Sequence, residues 1–425
     1  MCVCLSASAY TPSSFEVSAD AALLISLDGN SKIFEKKPDK QMYPAALVKI
    51  MTAVVILDNT TDVAGERITV TQDVLDGLIG QSYNAYGFTA GEVLTPEQLI
   101  SAIMLASSNE AAHIAAEYYG GGSIEKFVDK MNEKAAALGM TGTHYTNVTG
   151  FHDEAQYTTA ADQYKLVSHA MQDERFKALV GVRLYTMQGT EQHPDTRYIL
   201  NTNWLLDSAT EYYYRYATGV KNGTSDAGGR CLAATATKDK KTYVCILLGC
   251  PLPQENDPEY TDYTDAKNLF EWAFNDFEHK AVIGTDAPLC EAQVRYSNDT
   301  DHVTLYAAKE LYATIPKSAD NSTIQIQPVL NETEFTAPVE KGDVLGYAVI
   351  SYADTELGRV DLVASDSVER SFWLAAAGET GKFILTPWFL LILGGLIVLL
   401  IVWKIFARLR RKKRKTRRVK DYRRM

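Results

Sequence analysis

The chain is poor in the residues that usually mark a metal or redox centre. Its seven histidines show no H-E-x-x-H spacing, which removes the helical zinc-protease arrangement. His152-Asp153 reads as a turn, not a metal pair. Its six cysteines fit no metal-ligand spacing. Cys231 and Cys245 fall in apolar, strand-like runs, which suits buried free thiols better than a disulfide framework. There is no Gly-rich phosphate loop, since Gly120-Gly121-Gly122 reads as the loop before a helix. No internal repeat is present. The expectation is a protein with no metal and no cofactor.

Charge of one sign is also missing from long stretches, and this divides the chain. From Lys404 to Met425 there are 13 Lys/Arg and one Asp, a net of +12. With the total at −11, the remainder holds −23. An acidic body with a basic tail points to two compartments or two partners, and away from a nucleic-acid binder. Between them, Ile384–Trp403 has 20 residues without charge, enough to cross a hydrocarbon core of roughly 30 Å at ~1.5 Å per residue. Trp388 and Trp403 lie near its ends, where amphipathic rings favour the interface. The basic flank 408–415 is a stop-transfer pattern that keeps the tail in the cytoplasm and the acidic body outside the cell membrane. The tail (404–425) is first a topology signal. Contact with anionic lipid headgroups, at roughly 1 kcal/mol per basic residue, is its other reading. At the opposite end, Ala7-Ser8-Ala9 resembles a signal-peptidase site behind a short apolar run. Residues 1–13 are read as a signal-peptide remnant, with an irregular N-terminus as the alternative.

Hydrophobic content of 46% is ample for a packed core. Ala21–Leu27 and Lys32–Glu35 read as a hairpin around Asp28-Gly29. Pro44 suits the first turn of a helix, and Leu47, Ile50, Met51, Val54 and Leu57 follow at helical spacing. Ala46 and Lys49 lie off that stripe and, three residues apart, share another face. Thr95-Pro96-Glu97-Gln98 is a capping box, and its helix should break at Ser107-Ser108-Asn109, whose side chains compete for backbone hydrogen bonds. Further helices are expected over Ser123–Gly139 and from Thr159. Strands are expected at Gly219–Lys221, Cys231–Thr237 and Tyr243–Gly249. This pattern predicts an α/β (α+β) domain over 14–275, a mixed sheet covered by helices. A small β domain over 282–372 follows, with strands at Val303–Ala307, Leu345–Ser351 and Val360–Ala364. A linker (373–383) leads to the spanning helix (384–403).

The most telling absence is a single hydroxyl. Tyr43-Pro44-Ala45-Ala46-Leu47-Val48-Lys49 has the layout of an S-x-x-K active-site helix with alanine at the serine position. Two further short elements follow, Ser107-Ser108-Asn109 as S-x-N and Lys221-Asn222-Gly223 as K-x-G. Each is weak alone, but their order and their placement on helix, helix-end loop and strand make the set specific. Leu138–Asn147, Tyr157–Asp162 and Asp226–Cys231 add supporting segments.

Taken together, the chain resembles the D-alanyl-D-alanine carboxypeptidase family of low-molecular-mass penicillin-binding proteins, whose pattern is P-A-S-L-T-K-I-M-T, S-x-N and K-T-G. The likeness is strong over roughly residues 15–275 and weaker through the β domain. It implies a β-lactamase/DD-peptidase-like sheet flanked by helices and acyl-transfer chemistry on peptidoglycan stem peptides ending in D-Ala-D-Ala. Mapped here, Ala46 stands at the nucleophile position and Lys49 is the general base. Ser107 relays a proton to the leaving amine, Asn109 holds a substrate amide, and Lys221 attracts the terminal carboxylate. Gly223 lets the substrate backbone lie against the strand. The backbone N–H groups of Ala46 and Thr224 form the oxyanion hole. Two positions depart from the pattern. Ala46 cannot form an acyl-enzyme, and losing the nucleophile costs around 10⁶ in rate, or about 8 kcal/mol of barrier. Asn222 replaces threonine but can still donate to a carboxylate. The expected function is a membrane-anchored, extracytoplasmic pseudoenzyme that binds stem peptides with little or no hydrolysis, and it has a cell-wall synthesis protein as a further partner. The alternatives are an active serine-type carboxypeptidase that trims the terminal D-Ala through another nucleophile, and a purely structural or interaction protein on the same fold.

Overall fold

The structure, a computed structural model, describes residues 10, 12, 14–29, 31–78, 86–255, 258–353, 355–376 and 387–421. Most of the expected signal-peptide remnant, residues 377–383 of the linker, 384–386 of the apolar run and 422–425 of the tail lie outside the described residues.

In chain order the strands of the N-terminal part are β1 (Ala21–Ser26), β2 (Ser31–Lys36), β3 (Ile68–Thr69), β4 (Val93–Leu94), β5 (Leu184–Met187), β6 (Arg197–Leu200), β7 (Ala217–Ser225), β8 (Gly229–Lys238) and β9 (Lys241–Cys250). Its helices are α1 (Val48–Asn59), α2 (Gln72–Asp76), α3 (Pro96–Met104), α4 (Asn109–Tyr119), α5 (Ile124–Ala137), α6 (Ala160–Ala170), α7 (Glu174–Val180) and α8 (Thr261–Asp276). Five strands form an antiparallel sheet in the order β2-β1-β9-β8-β7. The inner strand β1 is buried along its whole length, because helices cover both faces. Leu23 and Ile25 join a core with residues of α1 and α3–α7, while Ala22 and Leu24 point into a second core against α8. Alternation along one strand therefore feeds two cores, and each fully buried aliphatic side chain contributes about 1.5–3 kcal/mol.

The chain forms two compact units. The first takes Met1–Val282 with Tyr312–Gln325 and Ser351–Leu357; the second takes Ile283–Leu311, Ile326–Ile350 and Gly358–Met425. The remaining strands are β10 (Phe277–Ile283), β11 (Pro288–Arg295), β12 (His302–Ala307), β13 (Leu311–Pro316), β14 (Gln325–Leu330), β15 (Phe335–Thr336), β16 (Val344–Tyr352) and β17 (Thr355–Ala364). The second unit is built on a six-stranded sheet, β14-β16-β17-β12-β11-β15, with Ala292, Val294, Val303, Leu305, Ala348, Ile350, Val360 and Leu362 buried at alternate positions. A sheet flanked by helices and followed by a C-terminal β domain, as expected, is thus the architecture. A last helix, α9 (Pro387–Asp421), contains Phe389–Arg410, which is long and apolar enough to cross a membrane, with a mean hydropathy of 2.7. Cys231, Cys245 and Cys250 are free and buried.

Candidate functional site

The site begins where the chain enters α1. Pro44 precedes a single 3-10 turn, Ala45–Leu47, and the α-helix starts at Val48. The expected one-sided stripe gives way to a central helix, because ten of the 12 residues of α1, Lys49 included, are buried. Ala46 therefore sits in the 3-10 turn and Lys49 is the second residue of the helix behind it. Ala45 adopts a left-handed φ of 46°, a conformation costly for a residue with a Cβ and one that persists only where its surroundings hold it. Gly150 is part of that hold, since a Cβ there would lie 2.0 Å from the Ala45 carbonyl oxygen.

The second element is the junction of α3 and α4. Thr95 and Gln98 form the reciprocal capping box that starts α3. The helix ends at Met104, and Ser107 turns the chain at φ 59°. Ser108 then caps α4 by accepting from Ala111 N at 3.1 Å. Asn109 is the first residue of α4 and is buried. Its Oδ1 accepts from Lys49 Nζ at 2.6 Å, and the Thr149 carbonyl accepts a second hydrogen bond from the same nitrogen at 2.6 Å. Ser107 is half-buried and makes no side-chain hydrogen bond among the described residues.

The third element is the edge strand β7. Lys221 is 1% exposed, and its ammonium donates to the Asn222 carbonyl at 2.8 Å. Asn222 Oδ1 accepts from Thr202 Oγ1 at 2.8 Å, and the same hydroxyl reaches the Leu105 carbonyl at 3.0 Å. Thr202 thereby ties β7 to the end of α3. Gly223 lies against the 3-10 turn so closely that a Cβ would stand 2.7 Å from Ala46 N. Its glycine is required by the protein's own backbone. Thr224 is exposed, with its Oγ1 accepting from Arg230 at 3.3 Å.

Electrostatics at the site are one-sided. Two lysines are fully buried, and no carboxylate bonds either of them among the described residues. Burial pushes Lys221 down to about 7. Lys49 is held well below its ordinary value by burial and then by the neighbouring charge of Lys221. The amino ends of α1 and α4 add partial positive charge on the same side. The amine of Lys49, the more strongly lowered of the two, prefers the neutral form and can accept a proton, while the surroundings favour an anion. His113, whose Nδ1–H donates to the Asn109 carbonyl at 2.8 Å, is lowered by burial despite that bond, with Lys49 as a smaller cause.

Ala46, Lys49, Ser107, Asn109, Lys221, Asn222, Gly223 and Thr224 thus come from a helical turn, a helix junction and an edge strand: a hydrogen bond joins Lys49 to Asn109, Thr202 joins Asn222 to the end of α3, and Gly223 packs on the backbone of Ala46, while Ser107 and Thr224 make no bond to the others. Sequence reasoning missed the carbonyl of Thr149, which the Asn147 side chain positions by accepting from Thr149 N and Gly150 N at 3.2 and 2.8 Å. It also missed Glu110, whose carboxylate accepts from Tyr86 N and Gly87 N at 2.7 and 3.1 Å. A backbone acceptor leaves no trace in side-chain motifs. Glu110 gave a better signal as a carboxylate in the first turn of α4.

Residues 7–251 match the D-alanyl-D-alanine carboxypeptidase family, and residues 277–370 match the penicillin-binding protein 5 C-terminal domain. The chain belongs to the D-alanyl-D-alanine carboxypeptidase family, of penicillin-binding type. It is 23% identical over 370 residues to D-alanyl-D-alanine carboxypeptidase DacF of Bacillus subtilis, covering 86% of this chain and 90% of that one. Over 224 residues it is 30% identical to a D-alanyl-D-alanine carboxypeptidase of Streptomyces sp. strain K15, covering 51% of this chain and 75% of the relative. The crystal structure of the carboxypeptidase DacD from Francisella tularensis shares the fold, with a TM-score of 0.67 at 22% identity, covering 85% of this chain and 96% of that one.

Proposed function

We propose that this protein binds peptidoglycan stem peptides ending in D-Ala-D-Ala and does not cut them, because Ala46 takes the place of the acylating serine. The observation that supports the reading is the buried Lys49–Asn109 pair beside Lys221 with an alanine, not a hydroxyl, in the adjoining turn. Lys49 is a base with nothing to deprotonate. Lys221 supplies the point charge for a terminal carboxylate. The backbone N–H groups of Ala46 and Thr224 are the donors for a polarised carbonyl, and neither needs a serine hydroxyl. Membrane anchoring through the apolar part of α9, with the acidic body outside and the basic tail inside, belongs to the same reading. It would bring the site to the cell wall.

Calorimetry of the full chain in detergent with a stem pentapeptide ending in D-Ala-D-Ala tests this, with chromatography for free D-alanine. The expected result is saturable heat without D-alanine release. Release at the rate of a working carboxypeptidase would overturn the non-catalytic part, and absence of heat would overturn the binder.

A further inference from the structure

One cavity lies outside the Lys49–Lys221 site. Its volume is about 630 Å³, and Trp204, Tyr212 and Tyr260 line it together with Glu211, Glu259, Lys267 and Asn268. The three rings form a corner. Trp204 and Tyr212 are near-parallel at 23° with centroids 5.8 Å apart, while Tyr260 stands edge-on to Trp204 at 4.7 Å and 60°. Trp204 and Tyr260 are half-buried, so part of each ring is open, and Glu211 and Glu259 are exposed at the rim.

The chemistry of this lining narrows the ligand. Two carboxylates against the one ammonium of Lys267, which is turned to the Glu211 carbonyl at 2.9 Å, leave the rim net negative and disfavour anions. A cation would find the Tyr260 face already taken, because the Arg230 guanidinium lies over Tyr260 at 4.5 Å and over Tyr263 at 5.3 Å. Its charge is compensated by Asp262, with bonds of 2.6 and 2.9 Å. What remains is a neutral ligand with an apolar face and a hydroxyl edge. A pyranose ring has that form: its C–H face fits an aromatic corner, and its hydroxyls donate to carboxylates and to an amide oxygen.

The cavity is also wired to the strand. Arg230 donates to Thr224 Oγ1 at 3.3 Å. Tyr263 donates to the Thr202 carbonyl at 3.1 Å, and Thr202 in turn holds Asn222. We propose that the Trp204–Tyr212–Tyr260 corner, with Glu211 and Glu259, is a sugar subsite that takes the glycan to which a stem peptide is attached. This rests on the reading of the Lys49–Lys221 site as a stem-peptide site. A peptide and its glycan would then be held at two places on one surface, a bivalent arrangement in which the second contact is intramolecular.

The test uses the full chain in a sugar-free detergent and two separate probes, the neutral N-acetylglucosamine tetramer and a stem pentapeptide ending in D-Ala-D-Ala. Calorimetry should show saturable binding of the tetramer. The double variant Glu211→Gln/Glu259→Gln alters only exposed rim groups. It should weaken the tetramer about tenfold through loss of charge-assisted acceptors and leave the pentapeptide affinity unchanged. No saturable tetramer binding, or unchanged tetramer affinity in the double variant, would overturn the sugar subsite. Tetramer binding in a chain that ignores the pentapeptide would retain the subsite and remove the stem-peptide reading.

Discussion

The two compact units spend their buried polar groups very differently. In the first unit Lys49, Asn109, Glu110, Lys221, Glu92, Arg197, Arg230 and Asp262 are all buried. In the second, Ser371 is the one polar residue that is buried among those described. Burying a charge costs free energy unless partners satisfy it, so a fold accumulates such groups only where something other than stability holds them. The second unit is a sheet whose interior is aliphatic and whose alternation explains it. The first carries polar groups through an otherwise apolar core, and this seam draws on α1, α4 and β7 and on β6, β8, α8 and the residue before β4.

That contrast can be broken or sharpened by mutation. The largest effect should come from Asp262→Ala, which leaves the 8%-exposed Arg230 guanidinium without its partner. Breaking one side of a buried pair costs ~3–5 kcal/mol, and chemical denaturation should read it. Gly223→Ala should cost about 1–3 kcal/mol, because its methyl meets the Ala46 backbone. It should also displace the turn that carries Ala46 and weaken pentapeptide binding.

Lys221→Met should act in the opposite direction. The folded chain holds Lys221 near 7, against about 10.4 when unfolded. Between those values the unfolded state binds more protons, so wild-type stability should rise with pH from about 7 to 10. The variant should be more stable at pH 7 and show a flatter rise, with Lys49 keeping its own share. It should also lose pentapeptide affinity. The smallest effect belongs to the second unit. Ile350→Val should cost about 0.5–1.5 kcal/mol and leave ligand binding alone. A loss of pentapeptide affinity there would erase the distinction between the two regions.

The same seam marks where the sequence could be read and where it could not. Local signals were sufficient for the capping box of α3, the caps at Ser123 and Thr159 and the strands β7 to β9, since each depends on neighbours in the chain. The motif residues 46, 49, 107, 109 and 221–224 were likewise visible, because they are side chains in a recognisable order. Helix α8 escaped notice. Its apolar positions Tyr263, Ala266, Leu269, Phe270 and Ala273 have helical spacing, but Asp262 and Asp265 share the buried face. Those carboxylates are buried because they meet Arg230 and Ser18, 32 and 247 residues away. No local pattern announces such partners. The one-sided stripe expected for α1 failed for a related reason, as α3 to α6 surround the helix. The carbonyl of Thr149 and the bridging hydroxyl of Thr202 became visible only once the fold brought distant segments together.

The central claim is that one missing hydroxyl separates this site from a working one. Its most direct measurement is the intact mass of the full chain and of the Ala46→Ser variant after incubation with a penicillin. The wild type should keep its mass. The variant should gain one penicilloyl group, with Lys49 taking the proton from the new serine. A penicilloyl adduct on the wild type, or an Ala46→Ser chain that folds and binds the pentapeptide yet stays unlabelled, would contradict it.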